Sequence, residues 1–437
     1  MSETYDVAII GGGPAGSTAA TFLARAGVNV SVFERERFPR FHIGESLLPF
    51  NMDIFERLGI ADQLGQHFIE KWGAEFVSSD GQVHHTFHFE DGFVPGKPMS
   101  YQVLRSRLDQ LLLDTAEAHG AHVFQGHTVV AADPSARTGA RLQVRDAGGT
   151  VREVRARFLL DASGREGVLS TRCGRRQMDS SLRRAALFAH FENVPRPSGR
   201  DAGNIVLILL RDAWFWFIPL AGSATSVGLV LDGQCYRGCG LRPQQAFELA
   251  VERCPAAAER LRSAQRVTPI RATSDWSYRS RRIRGDGYLL LGDAAAFVDP
   301  IFSSGVYLAM SSGELAASAV MRGLKSGNLF PRSFKRYERT INHHVAMYRN
   351  LALRFYRPGF IDVCLSPSKR LRLTPAVISL LAGCTQRRWS LRWRLTFFYW
   401  VVRLQRFLPL APRQILQRVF ESPPSASTTG DGMLGNV

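Results

Sequence analysis

The most constraining stretch of the chain lies near its start: YDVAIIGGGPAGSTAATFLARAGVNVSVFE, residues 5–34. It reads as strand, glycine turn, helix and second strand, a βαβ unit. Gly11, Gly13 and Gly16 give G-x-G-x-x-G at the junction of strand and helix. The first glycine permits the tight turn, and the second lets the backbone approach a pyrophosphate. The third lets helix and strand pack closely, with the helix N-terminus facing the anion. Ala15 falls within the same turn. Glu34 ends the second strand, 18 residues beyond Gly16, where an acid can hold a ribose hydroxyl pair. Gly11, Gly13, Ala15, Gly16 and Glu34 are therefore candidate cofactor contacts.

The rest of the chain supplies more than one domain. Residues 101–119 read as a helix, and strand-like stretches follow at 122–131, 141–146 and 153–160. Residues 184–231 carry a different pattern, with alternating runs in RAALFAHFEN, NIVLILL, AWFWFIPL and TSVGLVL. Residues 282–300 return to the first pattern, a strand running into a turn, and a helix follows at 305–323. The expected fold is α/β: a Rossmann-like cofactor domain interrupted by a mixed or antiparallel sheet, then a helical module. The expected divisions are 1–75, 101–183 and 271–330 for the cofactor domain. Residues 76–100 and 184–270 form the substrate domain, 331–420 the helical module, and 421–437 a small, polar, disordered tail.

Charge is concentrated in one place. Residues 331–420 hold 18 Lys and Arg against only Glu338 and Asp362, a net of +16 in a chain whose total is +17. The six cysteines (173, 235, 239, 254, 364 and 384) show no metal spacing. Cys235 and Cys239 fall in a glycine-rich stretch read as a turn, and free thiols in a reducing cytosol are expected. The first residues enter a strand directly, so no leader is expected. No apolar run reaches the roughly 18 residues of a membrane-spanning helix.

Five further stretches carry a resemblance. LLLGDAAAFVDP, residues 289–300, places Asp293 after an apolar strand and resembles the second FAD motif of flavin monooxygenases. There the aspartate holds the ribityl chain, and the resemblance implies FAD, with Asp293 and Pro300 beside it. Arg105, in YQVLRSRLD, is similar to an arginine near the FAD pyrophosphate in that group. FPRFHIGESLLP, residues 38–49, with Ser46 as a cofactor candidate, resembles a loop shared by flavin-dependent halogenases and geranylgeranyl reductases. Trp214-Phe215-Trp216-Phe217-Ile218-Pro219 matches W-x-W-x-I-P, the halogenase form of the signature. Lys71, in HFIEKWGAEF, falls where that family's essential lysine lies. Beyond about residue 330 the resemblance ends.

The resemblance implies a halogenase mechanism. A separate flavin reductase supplies reduced FAD, O2 adds to give a flavin hydroperoxide, and chloride or bromide takes the distal oxygen as hypohalous acid. That oxidant reaches Lys71, which forms a haloamine or holds it by a hydrogen bond, and an electron-rich aromatic ring is halogenated. Strand alternation points Trp214, Trp216 and Ile218 to one face and Phe215 and Phe217 to the other. The family role of the two indoles is a barrier passing only a small oxidant; the plain reading is a packed aromatic strand. Ser304 and Gly305, at the start of the 305–323 helix, are the halide candidates, where backbone N–H groups favour an anion. The same serines also suit simple capping.

No stretch matches the substrate region of tryptophan halogenases, which points to phenols or pyrroles, with carrier-tethered forms in view. The basic module suits an acidic carrier protein or an anionic membrane surface, and no motif supports nucleic acid. A cytoplasmic enzyme is expected, with the inner membrane face as a further site of contact. The rival readings are a flavin hydroxylase, a prenyl or lipid double-bond reductase, and a non-catalytic flavin protein that docks on a carrier or membrane.

Overall fold

The structure, a computed structural model, describes residues 3–172, 176–274, 276–357, 359–364, 373–385, 388–413 and 416–420. The expected tail at 421–437 and Cys173 lie outside the described residues. Two large sheets organise the chain. The first has a parallel core in the order His122–Gln125, Val30–Glu34, Glu3–Ile10, Val151–Asp161 and Tyr288–Leu290. Its central strands are apolar runs buried on both faces, as parallel strands under crossover helices must be. Helices Pro14–Arg25 and Gly305–Ser326 pack against each other beside it. A side chain at Gly313 would collide with the backbone oxygen of Ala15, so the glycine sets how closely the two helices approach.

The second sheet runs Gln265–Arg266, Arg184–Glu192, Thr225–Asp232, Ala213–Pro219, Ile205–Leu209, Gly73–Ser78 and His84–His88. Every pair along that path is antiparallel except Ile205–Leu209 with Gly73–Ser78. Alternation holds along Ala213–Pro219. Trp214, Trp216 and Ile218 enter one apolar cluster, and Phe215 and Phe217 enter another, with Phe247 of helix Pro243–Glu252. Both faces are buried.

The C-terminal region is helical, with Lys335–Phe355, Phe360–Cys364, Leu373–Leu381 and Trp389–Leu404. The first of these bridges two cores. Tyr337 and Ile341 pack with the parallel sheet, while Tyr348, Leu351 and Phe355 share the cluster of Trp214 and Trp216. Helix Leu373–Leu381 closes over the segment after His84–His88: Phe93 N donates to Pro375 O at 2.9 Å, and Val94 N to Ser379 Oγ at 2.8 Å. Among the described residues, no helix is long and apolar enough to cross a membrane.

Two local expectations are corrected. The helix expected over 101–119 starts at Arg105, because Ser100–Gln102 is a strand held by Ile69–Lys71. The stretch with Cys235 and Cys239 is the short helix Gly233–Gly238 and its C-cap. Asp232 caps it, accepting from Gln234 N at 2.8 Å, which offsets the weak propensity of its glycines.

Candidate active site

The glycine turn is built for a large anion. Gly11 has φ +98°, and a Cβ there would lie 2.5 Å from Ala162 O. A Cβ on Gly16 would strike the carbonyl oxygen of Gly11. Gly13 is the N-cap of Pro14–Arg25, and no side chain caps that end. Glu34 is buried, and one carboxylate oxygen accepts from Gly12 N at 2.8 Å while the other accepts from Glu36 N at 2.9 Å. The acid thus fixes the turn it follows in sequence.

Arg105 is buried with its guanidinium bound by protein: two bonds to Asp109, at 2.8 and 2.9 Å, and one to Ile43 O at 2.9 Å. It anchors the loop containing His42, whose pKa falls to about 4, through burial first and then the charge of Arg105. Arg40, which sequence reasoning passed over, lies nearer the glycine turn. Its Nη2 is 3.6 Å from where a Cβ on Gly13 would sit, and its Nη1 forms an ion pair with the buried Asp109 Oδ2 at 3.3 Å. A guanidinium held by Asp109 beside an uncapped helix start suits a pyrophosphate. Asp293 sits in a turn after Tyr288–Leu290, and burial raises its carboxyl to about 6, against the pull of Arg105, Arg165 and Arg176. Pro300 opens the 3-10 turn Pro300–Phe302. The turn, the arginine beside it and the second acid fit FAD.

Lys71 is only 2% exposed. It ends the strand Ile69–Lys71, paired with Ser100–Gln102, and Ser46 bridges to Gln102 from the other side. The HIGES loop and the lysine are therefore neighbours through one short strand. Nζ donates to Ser46 Oγ at 2.8 Å and to Leu47 O at 3.0 Å, and lies 5.2 Å from the centre of the Phe89 ring. Those two acceptors are one fewer than the donors of an ammonium. Burial alone lowers the pKa from 10.5 to about 7. The Lys71-Trp72-Gly73 context has a steric reason: a Cβ on Gly73 would collide with Phe87 O on the adjacent strand. Ser46, expected beside the cofactor, has its hydroxyl directed to the lysine.

Trp214 and Trp216 lie with ring centroids 6.0 Å apart, tilted by 51°. Trp216 Nε1 donates to Ser226 Oγ at 3.2 Å, and Trp214 Nε1 donates to Tyr356 OH at 3.0 Å. Tyr356 in turn donates to Asp299, 3.1 Å from Oδ1. Burial raises the Asp299 carboxyl to about 6. Asp299 also accepts from Ile301 N at 3.0 Å, so one chain of bonds joins the indole strand, the C-terminal module and the turn before Ser304. Ser304 is buried and is the N-cap of Gly305–Ser326, but its side chain makes no cap bond; Ser303 beside it has φ +53°. Glu45, immediately before Ser46, is buried and paired with His190 Nε2 at 2.8 Å. Sequence reading missed Arg40, Glu45, His190, Asp299 and Tyr356. Arg40 and Glu45 stood inside quoted motifs, whereas His190 and Tyr356 carry no local signal.

The FAD binding domain family matches residues 4–332. A 1H-pyrrole-2-carbonyl-[peptidyl-carrier protein] chlorinase from Pseudomonas fluorescens is 33% identical over 406 residues, 87% of this chain and 89% of that protein. The chain belongs to the flavin-dependent halogenases. A tryptophan 2-halogenase from Chondromyces crocatus is 31% identical over 371 residues, covering 82% of this chain and 68% of that one. The solved flavin-dependent brominase Bmp2 superposes with a TM-score of 0.81 at 28% identity, over 92% of this chain and all of that one. As a flavin-dependent halogenase the protein is an FAD-dependent oxidoreductase, which decides among the readings that the sequence left open.

Proposed function

We propose that this halogenase transfers chlorine or bromine to an electron-rich pyrrole or phenol held on a carrier protein, with Lys71 as the group that delivers the halogen. Bound FAD, reduced by a separate flavin reductase, supplies with O2 the oxidising equivalents that turn halide into hypohalous acid. Gly11, Gly13, Ala15, Gly16, Glu34 and Arg40 receive the cofactor's nucleotide portion. Asp293, Arg105 and Pro300 border it further along. Ser304 and Gly305 offer backbone N–H groups to the halide at the uncapped helix start. Trp214 and Trp216 form a rigid apolar partition that keeps the organic substrate from the flavin. Ser46 and Leu47 O aim the Lys71 amine, and its lone pair is the acceptor for halogen.

The observation that carries this reading is the burial of Lys71 with its pKa near 7. A solvated surface lysine would stay protonated, with almost no free amine at neutral pH. The carrier-tethered substrate is favoured because the match to the carrier-dependent chlorinase spans 89% of that protein, against 68% of the tryptophan halogenase. The test supplies FAD, a flavin reductase, NADH, O2 and either halide, with free and carrier-bound pyrroles and phenols. A halide-dependent mass increase lost in Lys71→Ala is expected. Hydroxylated product without halide dependence would overturn the reading.

A further inference from the structure

The C-terminal helix Trp389–Leu404 has an unusual outer face. Its inner face is ordinary: Leu391, Leu395, Phe398 and Val402 recur at helical spacing and are buried. The outer face should be polar. Instead Trp400 is 57% exposed, and Phe407, just past the helix, is 73% exposed. Between this helix and Lys335–Phe355 runs a groove of about 490 Å³, lined by Arg354, Arg357, Arg403 and Arg406 together with Tyr399 and Trp400, among others. Among the described residues, no acidic residue lines it. Arg354 stacks on Tyr399 at 4.0 Å, which fixes one wall.

The groove is close to the site along the chain. Arg354 and Arg357 flank Tyr356, whose hydroxyl accepts from Trp214 and donates to Asp299. A ligand resting on those arginines therefore lies within two residues of the tyrosine that holds the tryptophan strand. Exposed aromatics would suit lipid as well, but a bilayer meets a convex helix face, whereas this surface is concave, with guanidiniums on both walls. Concavity, four arginines and an apolar seam suit an acidic protein helix, and a phosphate on an acyl-carrying arm suits planar guanidinium donors.

We propose that this groove is the docking surface for an acidic carrier protein, with Arg403 and Arg406 meeting its acidic helix and Trp400 and Phe407 filling the apolar contact. Arg354 and Arg357 then receive the arm where it turns inward beside Tyr356. This rests on the carrier-tethered reading of the substrate.

The test titrates the FAD-loaded enzyme with a peptidyl carrier protein bearing a pyrrole-2-carbonyl thioester, by fluorescence anisotropy. Arg403→Glu with Arg406→Glu is expected to weaken binding by about tenfold or more, in line with the loss of close charge pairs at interfaces. A control, Arg141→Glu with Arg155→Glu, makes the same charge change on the exposed strands of the parallel-sheet domain and is expected to leave binding nearly unaltered. Trp400→Ala with Phe407→Ala, at side chains that face solvent, gives a second weakening variant should the charge reversal impair FAD loading. Equal affinity in the groove variants, an equal loss in the control, or no binding by the parent would overturn the proposal. So would capture by phosphatidylglycerol vesicles through the groove with carrier binding unaffected. A carrier that binds through the groove but is not halogenated leaves the docking surface standing and removes the proposed reaction. A carrier that is halogenated with an unchanged KM in the groove variants does the reverse.

Discussion

Lys71 pits stability against chemistry. Its amine loses its proton around pH 10.5 in the open chain and around pH 7 in the fold, because burial strips its water. Below pH 7 both states carry the proton, and the native state bears the full cost of a buried charge. Between pH 7 and 10.5 only the unfolded chain stays protonated, so native stability from this group rises with pH across that window. The cost below pH 7 corresponds to about 5 kcal/mol. Lys71→Met is therefore expected to melt above the parent at pH 6 in calorimetry, with the gap closing toward pH 10. The same substitution should abolish halogenation while FAD titration stays unchanged. Halogenation by the parent should rise with pH through about 7 and then level, since a lone pair must be free to take halogen. A profile falling through that range would instead assign the ammonium, as a hydrogen-bond donor.

At the scale of elements, the indole strand is set by its neighbour. Trp216 pairs in register with Gly228, and a Cβ there would collide with the six-membered ring of the indole. Gly228→Ala must move that ring or the strand, at roughly 1–3 kcal/mol for overpacking. The expected readouts are a lower melting temperature and a smaller share of flavin turnovers ending in halogenated product. Tyr356→Phe removes an acceptor from Trp214 and a donor from Asp299, each in buried surroundings. It should cost about 1–3 kcal/mol and should raise the Asp299 carboxyl further, read as a carboxyl titration shifted upward in infrared spectra. These relations show where sequence stops being legible. The strand was visible from its period of two, and W-x-W-x-I-P named its two indoles. The glycine beneath Trp216 lies 12 residues on, and Tyr356 lies 142 residues beyond Trp214, so neither contact leaves a local pattern.

Across the whole molecule, the legible parts were those with short-range rules. The glycine turn, Glu34 and the parallel strands follow from local sterics, and Lys71 from its motif. Residues 101 and 102, read as the start of a helix, belong to the strand Ser100–Gln102, because only a partner strand distant in sequence makes that segment extended. The helical C-terminal region shows the same limit. Its composition announced a basic module, yet its first long helix is shared by two cores. Phe334, Tyr337 and Ile341 seal the parallel sheet, with the Tyr337 hydroxyl donating to Leu290 O at 2.7 Å. Tyr348, Leu351 and Phe355 complete the cluster around the indoles. Burying six such side chains contributes roughly 9–18 kcal/mol at about 1.5–3 kcal/mol each. Ordering those residues offsets part of that gain, but a net loss of even a few kcal/mol is a large share of a typical domain's stability of about 5–15 kcal/mol. A chain ended after residue 330 keeps every residue matched to the FAD binding domain except 331 and 332, and on that ground should bind FAD. The packing predicts otherwise: such a chain should lack a cooperative melting transition and fail to retain FAD on a desalting column. A version ended after residue 357, which keeps the shared helix, should recover FAD retention. Equal FAD retention by the two would show that the parallel-sheet core stands without its C-terminal helix.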